Sequence, residues 1–305
     1  VLTLDEKKVR KGKAIGLPYQ GSKKKISKKI VEIIKQNFGT DKPIYDIFGG
    51  GGAITAECLI NGLDVHYNDL DETITEMFKK VILSDREYLK TLIIRREEFF
   101  KIRDKQEKSV NDNLKLLVNS FGNNKIGYLY SKEFSDIKYN LAIEIIKNHD
   151  TFRGYKKTDT YKNAYRPFDV GKVDRTQVLE QSQRLQQLEQ VQQLERIQQL
   201  GQFEQLEDLR VTNLDYKAFS RVENAILYLD PPYEGTTLKG YSIDRFNSQS
   251  FYNWAYEMSK KNIVLISSYE ISDERFQCVY EFKKSKSTLA AQGYGDKTEK
   301  LFMVK

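Results

Sequence analysis

The chain carries two familiar hydrophobic rhythms and a third that matches neither. Residues 225–229 (Ala-Ile-Leu-Tyr-Leu) and 263–267 (Ile-Val-Leu-Ile-Ser) are continuous, mainly apolar runs of strand length framed by turn-forming residues. They read as strands buried on both faces. Residues 44–48 and 63–67 read as strands too, the first running into four glycines and the second into Asn68-Asp69-Leu70-Asp71. Helical spacing places Ile26, Ile30, Ile33 and Ile34 on one face, with Lys24, Lys25, Lys28 and Lys29 spread over the rest. Further helices are expected from near Ala53, from an Asp71 N-cap to Leu83, over residues 113–118 and over residues 250–260. Residues 276–283 and 301–305 read as a terminal antiparallel pair that closes the sheet.

The third rhythm is a period of three. Leu185, Leu188, Val191, Leu194, Ile197, Leu200, Phe203, Leu206 and Leu209 recur at every third position, separated mostly by Gln and Glu. On an α-helix each such step falls about 60° short of a full turn, so the apolar stripe winds around the helix. A winding stripe suits a helix that wraps across a neighbour or pairs with another copy of the chain. A 3₁₀ helix matches the period but rarely runs so long, and a tolerated low-complexity insertion needs neither explanation. Residues 179–210 are therefore set apart as a Gln/Leu-rich insertion and a self-association element for a monomer or weak dimer. Residues 85–178 are rich in Lys, Arg, Asn and Tyr, with little periodicity outside 113–118, and the polar, basic residues 1–14 are expected to be mobile.

Composition narrows the class. A chain of 305 residues has room for one large domain with an insertion, or for two domains, and a net charge of +7 favours a polyanionic partner. Cys58 and Cys278 lie far apart and outside any metal or redox spacing, and they read as ordinary buried thiols of a reducing compartment. Two histidines, His66 and His149, are too few for a His-based metal site, so no metal is expected. No stretch is long and apolar enough to span a membrane and no signal peptide is read at the start, which points to the cytoplasm.

Candidate chemistry centres on Asp230-Pro231-Pro232-Tyr233, directly after the run 225–229. The prolines cannot continue a ladder and hold the backbone in a rigid, extended turn. A carboxylate, backbone carbonyls and an aromatic ring are thus fixed at the carboxyl end of a strand, the edge at which open α/β sheets bind ligands. Such a set suits a planar amino group, with its two N–H bonds on Asp230 and the Pro231 carbonyl and its ring stacked on Tyr233. Asp-Pro also makes ordinary surface turns, so the tetrapeptide gains meaning only from its company. Upstream, strand 44–48, Gly49-Gly50-Gly51-Gly52 and the helix near Ala53 form the opening unit of a nucleotide-binding sheet. The spacing is Phe48-x-Gly50-x-Gly52, without Gly-Lys-Ser/Thr, which argues against a phosphate loop. Asp69, about 20 residues on, stands where a ribose diol is gripped. Ahead of all this, Gly16-Leu17-Pro18-Tyr19-Gln20-Gly21-Ser22-Lys23 is a turn-rich loop entering a helix, either an anion holder with a mobile lysine or a solvated basic helix start.

Taken in order, these motifs resemble the Dam-like, D12-class (alpha-group) N6-adenine-specific DNA methyltransferases. The resemblance covers roughly residues 15–84 and 206–305. Tyr19-Gln20-Gly21-Ser22-Lys23 resembles the loop that holds the methionine part of the cofactor. Phe48-x-Gly50-x-Gly52 is similar to the cofactor loop, Asn68-Asp69 to the ribose-binding acid, and Thr212-Asn213-Leu214-Asp215-Tyr216 to the adenine-pocket segment. Asp230-Pro231-Pro232-Tyr233 is the family's catalytic tetrapeptide unaltered. The implied fold is α/β, a Rossmann-like S-adenosylmethionine-dependent methyltransferase sheet with an inserted, mainly helical and loop target-recognition domain. Residues 1–84 and 211–305 would form the methyltransferase domain, 85–178 the DNA-binding domain and 179–210 the insertion. The resemblance implies Tyr19, Lys23, Asp46, Phe48, Gly50, Gly52, Asp69, Asp215, Tyr216 and Asp230 as cofactor-binding residues, and Asp230, Pro231, Pro232 and Tyr233 as catalytic ones.

In residues 120–125, Ser-Phe-Gly-Asn-Asn-Lys is similar to the element that precedes the family's DNA-contacting hairpin. Asn123, Asn124 and Lys125, with Arg153, Lys156 and Arg166, are the expected DNA contacts. Cations interleaved with Tyr161 and Tyr165 suit phosphate contacts and stacking on an opened base, and the basic, Gly-rich residues 285–297 offer a further contact. Residues 131–174 depart from the expected hairpin, which leaves the target sequence open. The implied activity is methyl transfer from S-adenosylmethionine, yielding S-adenosylhomocysteine, to N6 of an adenine flipped out of double-stranded DNA in a bacterial or phage-infected cell, restriction–modification being one setting. Cytosine N4 offers a similar amino group, though relatives acting there more often carry Ser in place of the first Asp, and glutamine-directed protein methyltransferases more often carry Asn. A basic nucleic-acid-binding module with a vestigial cofactor fold is the non-enzymatic alternative, against which the intact Lys23, glycine loop, Asp69 and Asp230 argue.

Overall fold

The computed structural model describes residues 1–18, 22–164, 184–202, 209–234, 246–282 and 298–305. They divide into two compact units, one of Val1–Ala14, Lys23–Thr75 and Gln202–Lys305, the other of Ile15–Ser22 and Glu76–Gly201. The helices are α1 (Ser27–Phe38), α2 (Ala53–Ile60), α3 (Glu72–Ile82), α4 (Arg86–Lys90), α5 (Arg96–Arg103), α6 (Val110–Asn119), α7 (Lys132–His149), α8 (Asp159–Ala164), α9 (Gln186–Gln198) and α10 (Ser248–Ser259).

The first unit is built on seven strands, β1 (Ile44–Asp46), β2 (Val65–Asn68), β3 (Arg210–Thr212), β4 (Ile226–Leu229), β5 (Ile263–Ser268), β6 (Phe276–Glu281) and β7 (Lys300–Val304). Their order in the sheet is β3-β2-β1-β4-β5-β7-β6. The first five in that order are parallel, whereas β7 runs against β5 and β6 runs against β7. All four residues of β4 are buried, as a parallel strand covered on both faces requires. Leu227 and Leu229 pack with Phe251, Ala255 and Met258 of α10, together with Val264 and Ile266 of β5. Helix α1 buries Ile30, Val31, Ile33 and Ile34 and packs on α2, which packs on β2. Chain order reverses at β1, with β2 on one side and β4 on the other, so a crevice opens at the carboxyl ends of these strands. Cys58 is buried as expected, but Cys278 is exposed, because β6 is an edge strand and turns that position outward. Strand β3 was not foreseen. Its three residues are polar or half-exposed at the sheet edge, and only pairing with β2 defines it.

The N-terminal residues are not the mobile tail that their composition suggests. The Leu2 amide donates to the Val279 carbonyl at 2.8 Å, and the Asp5 amide donates to the Gln36 side chain at 2.7 Å. The Arg10 guanidinium forks the Glu57 carboxylate of α2 with two bonds of 2.8 Å. Glu57 is buried, and a buried carboxylate needs a partner of this kind.

The second unit is mainly helical, around a cluster of Ile94, Phe99, Ile102, Leu116, Tyr128, Leu129 and Tyr130. Three expectations change here. Residues 131–149, already read as departing from the family's hairpin, hold a helix where little periodicity was read. They lead into and form α7, whose Leu141, Ala142, Ile145 and Ile146 are buried at helical spacing. Tyr161 of α8 is buried edge-on against Tyr155, so it packs a core and is no platform for a base. The period-three segment, read as an insertion with a stripe for self-association, instead turns its described stripe from Leu185 to Leu200 into the interior of this unit. Leu185, Leu188, Val191, Leu194, Ile197 and Leu200 are all fully buried within this unit, and α9 packs against α4, α6 and α7. A stripe drifting about 60° per step swings half way round the helix between Leu188 and Ile197, which is what a helix enclosed by several neighbours needs. The period is matched at the end of α9 by a short 3₁₀ turn, Gln199–Gln202. Phe203, Leu206, Tyr165 and Arg166 lie outside the described residues.

Arg10→Ala should lower unfolding stability by roughly 3 kcal/mol, because it strands Glu57 inside the fold. Adding Glu57→Gln to it should restore part of the loss. Urea unfolding of the three proteins checks this, and an Arg10→Ala curve superposing on wild type would refute it.

Candidate active site

Strand β4 stops at Leu229 because Pro231 and Pro232 have no N–H to offer a ladder. Asp230 stands just beyond it. One carboxylate oxygen of Asp230 lies 3.0 Å from the Tyr233 hydroxyl, and the other pairs with Lys23 Nζ at 2.8 Å. Lys23 opens the 3₁₀ turn Lys23–Lys25 that leads into α1. Glu299, which sequence reasoning missed, completes the cluster from the residue before β7. Its two oxygens lie 2.9 and 3.1 Å from the Tyr233 hydroxyl and 3.5 Å, for the nearer, from Lys23 Nζ. Ser267 of β5 donates to Glu299 at 3.4 Å. The Lys23 ammonium also stands 4.9 Å from the centre of the Tyr233 ring, and Tyr269 meets that ring edge-on at 4.7 Å.

The electrostatics follow from burial and company. Burial works against the Lys23 charge, but Asp230 and Glu299 more than offset it, so the ammonium is held above its ordinary value. Burial, with Asp230 adding to it and Lys23 opposing it, raises the Glu299 carboxyl. Burial, then the charges of Asp230 and Glu299, raises the Tyr233 hydroxyl, which therefore keeps its proton and acts as a donor.

The ends of β1 and β2 form the adjoining half of the site. One oxygen of Asp46 accepts from the Thr55 amide at 3.1 Å and the Thr55 hydroxyl at 2.7 Å. The other is buried without a hydrogen-bond partner among the described residues. Burial first, opposed by the Thr55 bonds and reinforced by Asp230 and Asp69, pushes the Asp46 carboxyl up to about 7. The glycine loop passes too close to β2 for any side chain at Gly49, where a Cβ would lie 2.2 Å from the Tyr67 ring. Gly52 has φ +72° at the N-cap of α2. The Gly50 amide donates to Asp69 at 2.8 Å, and the Asp71 amide donates to the other Asp69 oxygen at 2.9 Å. Burial raises the Asp69 carboxyl. Asp71 caps α3 by accepting from the Thr73 amide at 2.9 Å, the role its position predicted.

Asn68, known from the sequence only as the neighbour of Asp69, is the strut of this half. Its side-chain amide donates to the Ile47 and Leu214 carbonyls, each at 2.9 Å. Its oxygen accepts from the Thr212 hydroxyl at 2.7 Å and the Leu214 amide at 2.9 Å. These bonds tie the chain after β3 to the ends of β1 and β2. Beyond them, Tyr216 stacks on Phe48 with 6.1 Å between ring centres. Asp215 accepts from the Lys217 amide and caps the turn Tyr216–Phe219.

Of the residues expected at the site, the structure thus brings together Lys23, Asp230 and Tyr233, then Asp46, Gly50 and Asp69, and then Phe48 and Tyr216. Tyr19 lies outside the described residues. Pro231 is buried and Pro232 half-buried. In the second unit, the Asn123 side chain donates to the Leu117 carbonyl, and Asn124 accepts from the Ile126 amide at 2.8 Å, so both shape the loop that carries them. The Lys125 amide donates to the Ser120 hydroxyl at 3.0 Å. Arg153 and Lys156 are exposed between α7 and α8. Arg166 and residues 285–297 are outside the described residues.

Asp46 sets a pH signature. The folded protein holds this proton up to about 7, whereas an ordinary Asp releases it near 3.8, so stability falls as pH rises through that window. Asp46→Asn should remove that slope and gain on wild type in thermal unfolding between about pH 5 and about pH 8. An equal change in Tm for both proteins would refute it.

These acids, the glycine loop and the Asp-Pro-Pro-Tyr turn share one sheet edge, and comparison with known families names a family for the chain. The model for "D12 class N6 adenine-specific DNA methyltransferase" matches residues 19–288. No curated protein matches the chain. A match over most of the length, through both sheet-edge motifs, means that this chain belongs to the D12 class N6 adenine-specific DNA methyltransferase family.

Proposed function

We propose that the Lys23–Asp230–Tyr233 cluster is the catalytic centre of this adenine-specific DNA methyltransferase, and that Asp230 is the acceptor that activates the target amino group. The observation that carries this is the placing of Asp230. It stands just past β4, beside the switch point, tethered by Lys23 at 2.8 Å and by Tyr233 at 3.0 Å. The adenine amino nitrogen shares its lone pair with the ring and is a poor nucleophile. Asp230 and the Pro231 carbonyl accept its two hydrogen bonds and draw the nitrogen towards tetrahedral geometry. Positioning and aligned electrostatics then lower the barrier. The amino group is out of reach in this geometry within a duplex, so the adenine leaves the stack and Tyr233 meets its ring. The route needs no covalent enzyme intermediate.

S-adenosylmethionine, the methyl donor of this family, supplies an already activated methyl group when bound. The donor set suits it, since the molecule carries a sulfonium and an ammonium charge and the site offers the unpartnered Asp46 oxygen and the Asp69 carboxylate. Asp69 keeps lone pairs for a ribose diol beyond the two amides it accepts, and Lys23 keeps a donor beyond its two carboxylate partners. Phe48 and Tyr216 supply aromatic surface for the adenine of the cofactor. Gly50 and Gly52 take φ of +47° and +72°, a backbone that a side chain would strain.

The second unit serves target recognition in this reading, with Lys125, Arg153 and Lys156 on phosphates of double-stranded DNA. The burial of the period-three stripe favours a monomer. None of the described helices is long and apolar enough to cross a membrane, in keeping with the cytoplasmic site we propose.

The test is transfer of label from radiolabelled S-adenosylmethionine to unmethylated duplex DNA, followed by separation of the nucleosides. N6-methyladenine is expected, and Asp230→Ala should abolish it without unfolding the protein. Label in N4-methylcytosine, or substantial transfer by Asp230→Ala, would overturn the assignment. Cofactor affinity should also rise with pH through about 7, as Asp46 gains its charge, and Asp46→Asn should bind more weakly and without that rise. Equilibrium dialysis across pH checks this, with parallel profiles for the two proteins as the contrary result.

A further inference from the structure

We infer that Glu299 is a positioning residue for methyl transfer. Its carboxylate clamps the Tyr233 hydroxyl and shares Lys23 with Asp230, which fixes the ring that meets the target base and leaves lone pairs of Asp230 for the amino group. The inference rests on the catalytic role proposed for Asp230 and Tyr233.

Glu299 reaches the site through topology. Strand β7 is antiparallel to β5, with Ser268 opposite Lys300, so the beginning of β7 lies at the carboxyl edge of the parallel strands. The residue just before β7 therefore sits beside Asp230 although 69 positions separate them (299 − 230). Its backbone is pinned, because the Glu299 carbonyl accepts from the Phe282 amide at 3.0 Å, just past the end of β6. A carboxylate carried by a paired sheet edge is a firmer support than one on a free loop.

The chemistry of the cluster shows what Glu299 holds. The Tyr233 hydroxyl has one proton and two carboxylates within 3.1 Å. Two acids so close repel each other unless a cation stands between them, and Lys23 Nζ does, at 2.8 Å from Asp230 and 3.5 Å from Glu299. Ser267 adds a donor to Glu299 from the sheet itself. Without the Glu299 charge, Asp230 is the carboxylate left to Lys23 among the described residues, and there its donors compete with the amino group of the base. Without the Glu299 oxygens, the Tyr233 hydroxyl leans more on Asp230, the group that is meant to stay available to the base.

The test is a single-turnover measurement on the full chain, with radiolabelled S-adenosylmethionine pre-bound and a duplex carrying a site that the wild type methylates. Glu299→Gln keeps the size and can accept from Tyr233 but drops the charge that shares Lys23. Glu299→Ala loses both functions. The transfer rate should fall about tenfold for Gln and about a hundredfold for Ala, the scale of a misplaced reacting group. Cofactor affinity by dialysis, Tm and base opening reported by 2-aminopurine at the target position should all stay near wild type. In a Tyr233→Phe background, which keeps the ring and removes the hydroxyl, Glu299→Gln should cost less than it does alone. Wild-type transfer by both Glu299 variants, equal penalties in the two backgrounds, or parallel losses of rate, affinity and Tm would each overturn the inference. Asp230→Ala in the same assay separates the two levels. Transfer surviving there overturns the catalytic assignment itself, whereas a silent Asp230→Ala beside fully active Glu299 variants overturns only the role of Glu299.

Discussion

Carboxylates taken out of water at the edge of a sheet need cations, hydroxyls or amides close by, and the site of this protein is organised by that requirement. Asp46, Asp69, Asp230 and Glu299 stand at or just beyond strand ends on one sheet edge, and each is answered differently. Asp69 is met by two backbone amides. Asp46 is half answered by Thr55 and keeps one buried oxygen without a partner among the described residues. Asp230 and Glu299 share one lysine and one tyrosine hydroxyl. Lys23 is thus the ion on which that pair of acids depends. It brings the entry to α1, the end of β4 and the start of β7 to a single point.

The rest of the first unit can be understood as support for that edge. The reversal of strand order at β1 opens the crevice, and the glycine loop lies close against β2, where even a methyl group at Gly49 would strike Tyr67. Asn68 uses both its donors and its acceptor to tie the chain after β3 to the ends of β1 and β2, which keeps Tyr216 beside Phe48. The reversed β7 delivers an acid from the far end of the chain to the same edge. On the outer side, Arg10 answers the buried charge of Glu57 and so turns a basic N-terminal arm into part of the fold.

The second unit obeys a different constraint. A helix with neighbours on one side needs an apolar stripe along its axis, whereas a helix enclosed by several needs a stripe that turns with them. The three-residue period of α9 supplies such a turning stripe, and the glutamines between its apolar positions are not all solvent-facing. Gln187 is buried, and its side-chain amide donates to Asn119 at 2.5 Å and to the Ile94 carbonyl at 3.0 Å. A segment with the composition of a low-complexity insertion is in this way the centre of a packed helical unit.

Local signals in the chain determined a good deal. Strands β1, β2, β4 and β5, with ends up to two residues off, the glycine loop, the α1 face, the Asp71 cap and the Asp-Pro-Pro-Tyr turn were all legible, because apolar runs, prolines, glycines and caps act within a few residues of where they stand. So was the family, since its motifs are short and contiguous. What only the tertiary structure decided depends on partners distant in sequence. The edge strand β3 exists because β2 pairs with it. The N-terminal arm is ordered because Glu57 lies under Arg10. The period-three stripe is a core because three helices enclose it. Glu299 carries no local mark, and it enters the site only because β7 runs backwards beside β5, a property of the order of strands in the sheet and not of any stretch of sequence.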